Sequence, residues 1–124
     1  MKFDPDCARD ILLAVEASDC PKRKIILSEL RDTLPSYGID DLEYTCLKLF
    51  EAGMLDIITG HVMGRQMLSV GRILDITYTG HQFLENVRNE KVWNKTKKKA
   101  KAIGSFALDV ISQIAVNVIS SKIG

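Results

Sequence analysis

The sequence is poor in the residues that build metal and catalytic sites. It has three cysteines and two histidines. Cys7, Cys20 and Cys46 form no Cys-x-x-Cys pair, and neither His61 nor His81 has a second ligand at the spacing of a zinc site. The G-x-S-x-G, G-x-x-x-x-G-K-[ST] and G-x-G-x-x-G motifs are also absent. We therefore predict no metal, no cofactor and no enzymatic activity, with the cysteines present as reduced thiols.

Long apolar runs are absent as well. No stretch reaches the ~18 uninterrupted apolar residues of a membrane span. The first residues, MKFDPDCARD, carry acids where a signal peptide carries basic residues. We expect a cytoplasmic protein without membrane association. The 124 residues, of which 46% are hydrophobic and 27% charged, have the composition of a compact domain with a sizeable core.

The charges are unevenly distributed along the chain. Residues 1–60 hold 7 Lys and Arg against 12 Asp and Glu, whereas residues 61–124 hold 10 against 4. Six of the later positive charges lie in the run KVWNKTKKKAK, at Lys91, Lys95, Lys97, Lys98, Lys99 and Lys101. Such a run either contacts phosphate or forms a solvated helix face whose lysine stems cover apolar surface.

Three helices are predicted in the first half of the chain. Asp4 as N-cap and Pro5 at the first helical position begin DPDCARDILLAVEAS, which has apolar residues at spacing four. A short second helix, LSELRDTL, is predicted with Ser28 as its N-cap. The third, IDDLEYTCLKLFEAG, has acids at its start and Gly53 at the left-handed position after its end.

A β-hairpin and two further helices are predicted in the second half. The β-branched runs Leu55–Thr59 and Ile73–Thr77 predict the strands. Thr77 is the predicted N-cap of a fourth helix, in which Gly80 permits close backbone approach. We predict that this helix continues, with a kink near Asn89, through the lysine run to Ile103. The segment FALDVISQIAVNVISSKI is the final, amphipathic helix.

This order predicts a mainly α fold with a small β-hairpin. Three helices, a hairpin and a fourth helix form a winged helix-turn-helix, here with a long fourth helix and a C-terminal amphipathic helix. We assign residues 1–90 to the winged-helix domain. Residues 91–124 form a basic and amphipathic extension, which is either part of the same compact unit or an oligomerisation element.

The segment ITYTGHQFLENVRNEKVWNKTKKKA resembles the signature of an uncharacterised family, the domain of unknown function numbered 2513. Its members show a pattern similar to L-T-W-x-G-H-x-F-L followed by V-W-x-K. Here Ile76 and Tyr78 replace the leucine and tryptophan, and Thr45 stands where members often have histidine. The matching positions are Thr77, Gly80, His81, Phe83, Leu84 and Trp93. The resemblance covers nearly the whole chain and implies a small winged-helix protein of bacteria, phages and prophages, with no assigned reaction.

The third helix argues against sequence-specific DNA binding. A recognition helix enters the major groove between phosphates, so its exposed residues are usually basic or neutral. Here Asp40, Asp41, Glu43, Lys48 and Glu51 sum to −3. Backbone contacts from Arg65 and Arg72 in the hairpin, together with the lysine run, remain an alternative. We interpret Trp93, inside that run, as a packing anchor rather than a base-stacking platform.

The final helix suggests self-association. Its apolar residues cover about half of the circumference, which is wider than one neighbouring helix needs. The predicted oligomer contacts are Phe106, Leu108, Val110, Ile111, Ile114, Val118 and Ile119. We therefore expect a homo-oligomeric protein-interaction module that also binds a protein partner, with a regulatory or anti-host role in a phage or prophage. The alternative is a DNA-binding transcriptional regulator.

Overall fold

The computed structural model describes residues 2–64, 66 and 68–123. Within them the chain is mainly helical, with six helices and one two-stranded antiparallel hairpin. The elements are α1 (Pro5–Ala17), α2 (Leu27–Thr33), α3 (Ile39–Glu51), β1 (Leu55–His61), β2 (Leu68–Ile76), α4 (Tyr78–Val87), α5 (Glu90–Ile103) and α6 (Leu108–Ile123).

The chain forms two compact units that divide between His81 and Gln82, inside α4. The sequence-based division at residue 90 followed the change in composition at the lysine run. Contacts divide the chain earlier, because the later part of α4 groups with α5 and α6. The first unit contains α1, α2, α3 and the hairpin, and the second contains α5 and α6.

The core of the first unit lies where α1 and α3 pack on each other and on the hairpin. Asp4 caps α1 as predicted, since its Oδ1 accepts the Asp6 N–H at 2.9 Å. α2 begins at Leu27 rather than after Ser28, because the Glu29 carboxylate accepts the Ile26 N–H at 3.3 Å. The side chains that fill this core are fully or almost fully buried: Cys7, Ile11, Leu12, Val15, Leu42, Cys46, Leu49, Leu55 and Ile73.

The segment that leads from β2 into α4 is fixed to the turn before β1. Thr77 Oγ1 accepts the Gly80 N–H at 3.1 Å and donates to the Gly53 carbonyl at 2.6 Å. Thr77 is therefore the N-cap that the sequence predicts. Gly80 is buried, and a Cβ atom there would overlap the Met54 carbonyl oxygen and lie 2.7 Å from Ile76 Cγ1. The predicted close approach at Gly80 is confirmed.

The predicted long fourth helix is wrong, because the chain forms two helices there. α4 ends at Val87 and α5 begins at Glu90. The Asn89 side chain accepts the N–H groups of Lys91 and Val92 at 2.9 and 3.1 Å. An asparagine that satisfies two free N–H groups starts a new helix, and its extended backbone, with ψ of 128°, interrupts the preceding one.

In the second unit α6 packs along α5. Gly104 ends α5 in the left-handed conformation, with φ of +88°, and its N–H donates to the Ala100 carbonyl at 2.8 Å. The central apolar face of α6 is buried within the single chain at Ile111, Ile114, Ala115 and Val118.

The predicted oligomer contact assumed that the apolar face of α6 is too wide for one chain to cover, and this burial contradicts that assumption. Of the seven residues, Ile111, Ile114 and Val118 are covered without a second chain, and Leu108, Val110 and Ile119 are partly covered. Phe106 keeps 37% exposure. An argument for self-association from an uncovered stripe on α6 no longer holds.

Candidate functional site

The lysines of α5 occupy the solvent side of the helix. The opposite side holds Val92, Trp93, Thr96 and Ala100, all buried. Because helical positions advance by about 100°, the lysines share the remaining surface, where five are exposed and Lys97 is half-buried. A shallow groove of about 440 Å³ runs beside α6 and is lined by Lys95, Lys98, Lys99, Ala102, Val118 and Ser121.

The indole ring of Trp93 packs in the interior and is not accessible at this surface. Its side chain is 2% exposed, so no ring face is available to stack on a base. Lys97 Nζ lies 5.7 Å from the ring centroid, which is within the range of a cation–π contact. Phe83 and Leu84, the apolar residues of the same sequence motif, are also buried.

Of the two hairpin arginines predicted to contact DNA, the structure describes only Arg72. Arg72 is exposed on β2, paired in register with Ile58 of β1. Arg65 lies outside the described residues. Arg72 belongs to the first unit and the lysine run to the second.

The outward side of α3 is acidic, although less so than the sequence count suggests. Asp40, Asp41 and Glu51 are exposed, and Lys48 Nζ lies 3.1 Å from Glu51 Oε2. Glu43 is buried and does not belong to this surface. The outward charge is therefore −2 instead of −3, with Lys48 in contact with a carboxylate of its own helix.

Glu43 has a structural role that the sequence analysis missed. Its Oε2 accepts the Val70 N–H at 3.2 Å, which joins α3 to β2. The available signal was its position, one residue after Leu42 and three before Cys46, which is inside the buried stripe of the helix. A carboxylate in such a stripe needs a hydrogen-bond donor, and the backbone of β2 supplies one.

An apolar groove lies between α3 and the start of β2. Its volume is about 330 Å³, and its lining residues are Tyr44, Leu47, Lys48, Phe50, Glu51 and Leu68. Phe50 remains 38% exposed. Lys48 Nζ lies 5.3 Å from the centroid of the Tyr44 ring, so the lysine contacts both an aromatic ring and Glu51 along the rim.

The buried thiols are unsuited to nucleophilic chemistry. Burial raises the pKa of Cys7 to about 11 and that of Cys46 to about 12, so both are protonated at neutral pH. His81 Nδ1 lies 3.4 Å from Glu16 Oε2, a local contact between the start of α4 and the end of α1. Among the residues that the structure describes, no three His, Cys, Asp or Glu side chains are grouped to hold a metal ion.

None of the helices in the described part of the chain has both the length and the apolar character to cross a membrane.

Comparison with known proteins identifies the family. The family model described as Hypothetical protein (DUF2513) matches residues 2–107. An uncharacterized protein of Haemophilus influenzae (strain ATCC 51907 / DSM 11121 / KW20 / Rd) is 30% identical over 125 residues, and the match covers 99% of each chain. No solved structure matches. The chain belongs to the DUF2513 family.

Proposed function

We propose that this chain is a cytoplasmic, non-catalytic protein-interaction module with winged helix-turn-helix architecture, serving a regulatory or anti-host task in a phage or prophage. The order of α1, α2, α3, β1 and β2 supports the architecture. So does the pair of hydrogen bonds between Ile25 and Ile73, an isolated bridge at the place between α1 and α2 where such folds have a short third strand.

The observation that carries the proposal is the chemistry of the α3 surface. In a DNA-binding winged helix this face meets phosphate and base edges. Here it presents Asp40, Asp41 and Glu51, and the charge of Lys48 is shared with Glu51 at 3.1 Å. Such a face repels a phosphate backbone. A protein partner has no uniformly negative backbone, so an acidic α3 face is compatible with binding a protein.

The α3 groove favours a partner that inserts one bulky apolar side chain. Phe50, Leu47 and Leu68 supply apolar walls, and aromatic or aliphatic anchors in such pockets dominate binding energy at protein interfaces. The charged residues that line the groove, Lys48 and Glu51, pair with each other at 3.1 Å, so the apolar walls rather than net charge favour that anchor.

Substituting Phe50 with serine tests this surface. We expect affinity for the protein partner to fall at least about 30-fold, since hot-spot truncations cost about 2 kcal/mol or more. The matched control is Ile39→Ser, because Ile39 lies on the same helix, is also 38% exposed and does not line the groove. Partners are captured from host extract on immobilised wild type, Phe50→Ser and Ile39→Ser protein, with nuclease treatment, and their affinities are then measured by calorimetry.

Two outcomes would contradict the proposal. One is retention of the same proteins at the same affinity by the Phe50→Ser variant. The other is capture of nucleic acid alone, with every retained protein released by nuclease.

A DNA-binding role is the second candidate, favoured by the lysines on the solvent side of α5. With Trp93 buried and α3 acidic, binding through this surface relies on phosphate contacts. Such contacts release counterions and carry no sequence information.

Reversing Lys97, Lys98 and Lys99 to glutamate tests the second candidate. We expect any DNA binding by the wild type to be weak, indifferent to sequence and salt-sensitive. The triple variant should lose it, because each lost phosphate contact removes about one unit from the slope of log K against log salt. Lys22→Glu with Lys24→Glu is the charge control, since both lysines are exposed in the other unit. A tight preference for one sequence in a gel-shift titration would show that α3 does enter the major groove.

A further inference from the structure

The hairpin has an outer edge whose backbone groups can be assigned. Ile73 of β2 exchanges two hydrogen bonds with Ile25: the Ile25 N–H donates to the Ile73 carbonyl at 3.0 Å, and the Ile73 N–H donates to the Ile25 carbonyl at 2.7 Å. Both polar groups of Ile73 therefore point away from β1. The residue opposite Ile73 is Ile57. Two residues opposite each other in an antiparallel pair either both direct their backbone N–H and C=O groups at each other or both direct them away. The N–H and C=O of Ile57 therefore face the side of β1 away from β2.

A second hydrogen bond assigns the next outward position independently. The Val70 N–H donates to Glu43 Oε2 rather than to β1. The residue opposite Val70 is Thr59. The N–H and C=O of Thr59 therefore also face outward. Ile58 lies between these two positions, and its side chain is 46% exposed.

Within the described residues the sheet has two strands, and β2 is the only one paired with β1. The edge thus offers two donors and two acceptors, at Ile57 and Thr59, beside an exposed β-branched side chain. An edge of this kind is a template for another strand.

We propose that β1 pairs antiparallel with β1 of a second copy of this chain, forming a four-stranded sheet about a two-fold axis. This goes beyond the proposed function, because it concerns a surface other than the α3 groove. The outward groups allow a register in which Ile57 pairs with Thr59 of the copy, and by symmetry Thr59 with Ile57. Ile58 then lies opposite Ile58 of the copy, at the axis.

The second copy is the occupant because β1 complements itself in this register. Asp56 lies opposite Gly60 of the copy and Leu55 opposite His61, so no like charges meet. The two exposed Ile58 side chains cover each other across the axis. In the two neighbouring registers Ile58 no longer lies opposite Ile58 of the copy. A shift toward the start of β1 would place Ile58 opposite Asp56, and a shift toward its end would place Ile58 opposite Gly60.

Cysteine trapping tests the register directly. In a Cys20→Ser background, Ile58→Cys should form a disulfide-linked dimer under mild oxidation, because paired residues at a non-hydrogen-bonded site bring their Cα atoms to about 4.5 Å. Cys7 and Cys46 are buried and do not compete. Thr59→Cys in the same background is the matched control, since Thr59 faces Ile57 rather than itself and should link much less.

Solution mass gives the second measurement. A strand pair is small compared with the ~800 Å² per partner of a standard interface, so we expect a concentration-dependent equilibrium between the 13.9 kDa monomer and a dimer. The Thr59→Pro variant should be monomeric where the wild type forms dimers, because the substitution removes an outward N–H from an edge strand. Its circular dichroism spectrum should match that of the wild type.

The outcomes separate this proposal from the proposed function. Selective linking of Ile58→Cys supports the β1 pair, whether or not Thr59→Pro folds. Equal linking of the two cysteine variants, or no linking with a monomeric wild type up to millimolar concentration, overturns it. Binding of a different protein through β1, displaced by Thr59→Pro, would also overturn it. None of these results alters what Phe50→Ser reports about the α3 groove.

Discussion

Replacing Gly80 with alanine is expected to lower the free energy of unfolding by about 3 kcal/mol. The added Cβ would overlap the Met54 carbonyl oxygen, which belongs to the backbone and cannot rotate away. That carbonyl also accepts the Thr77 N–H at 3.1 Å, so moving it disturbs the junction of β2 with α4. The measurement is urea denaturation of wild type and variant followed by circular dichroism.

Gly60→Ala is the control for the alanine itself. A Cβ at Gly60, in β1, would lie 3.7 Å from Ser69 Oγ, which is ordinary contact. We expect a change within about 1 kcal/mol there. Equal stability of the Gly80→Ala variant and the wild type would show that the close approach at Gly80 is absent in solution.

Replacing Ile111 with aspartate is expected to destabilise the protein by about 4 kcal/mol. The Ile111 side chain is fully buried in the single chain, and α6 packs along α5. The substitution removes a large apolar group and places a carboxylate where water is excluded. Thermal unfolding should start at a much lower temperature, and part of the helical signal should already be lost at room temperature.

Val116→Asp is the matched control, since Val116 lies on the same helix and is 47% exposed. We expect that variant to unfold like the wild type. The experiment also distinguishes the two interpretations of α6. A folded, monomeric Ile111→Asp variant of an oligomeric wild type would show that Ile111 lies between subunits, as the sequence pattern suggested.

The positions of helix caps and of special glycines followed from local chemistry. Asp4 and Thr77 were predicted as caps because short polar side chains satisfy free N–H groups two or three residues further along. Gly53 was predicted in the left-handed region, and its φ is +75°. These features depend on neighbours within a few residues, which the sequence contains in full.

The break at Asn89 was predicted as a kink within one helix rather than as the start of a new helix, and this difference has a local reason. Asn89 is a good N-cap, but a continuous run of helix-forming residues on both sides favours a single helix. The capping bonds to Lys91 and Val92 outweighed that preference. The resemblance to the family rested on a contiguous motif and was confirmed, because such a motif needs no knowledge of packing.

The tertiary structure alone decided which apolar and charged residues remain available to a partner. Periodicity places Ile111 and Phe50 equally on apolar stripes, yet Ile111 is buried and Phe50 lines an open groove. Glu43 reads as a surface acid until the Val70 N–H reaches it from a strand 27 residues away. The outward direction of Ile57 and Thr59 depends on Ile25 and Glu43, which contact β2 only after folding. Sequence patterns specify elements through short-range preferences, whereas the free surface is what remains after distant segments have covered one another.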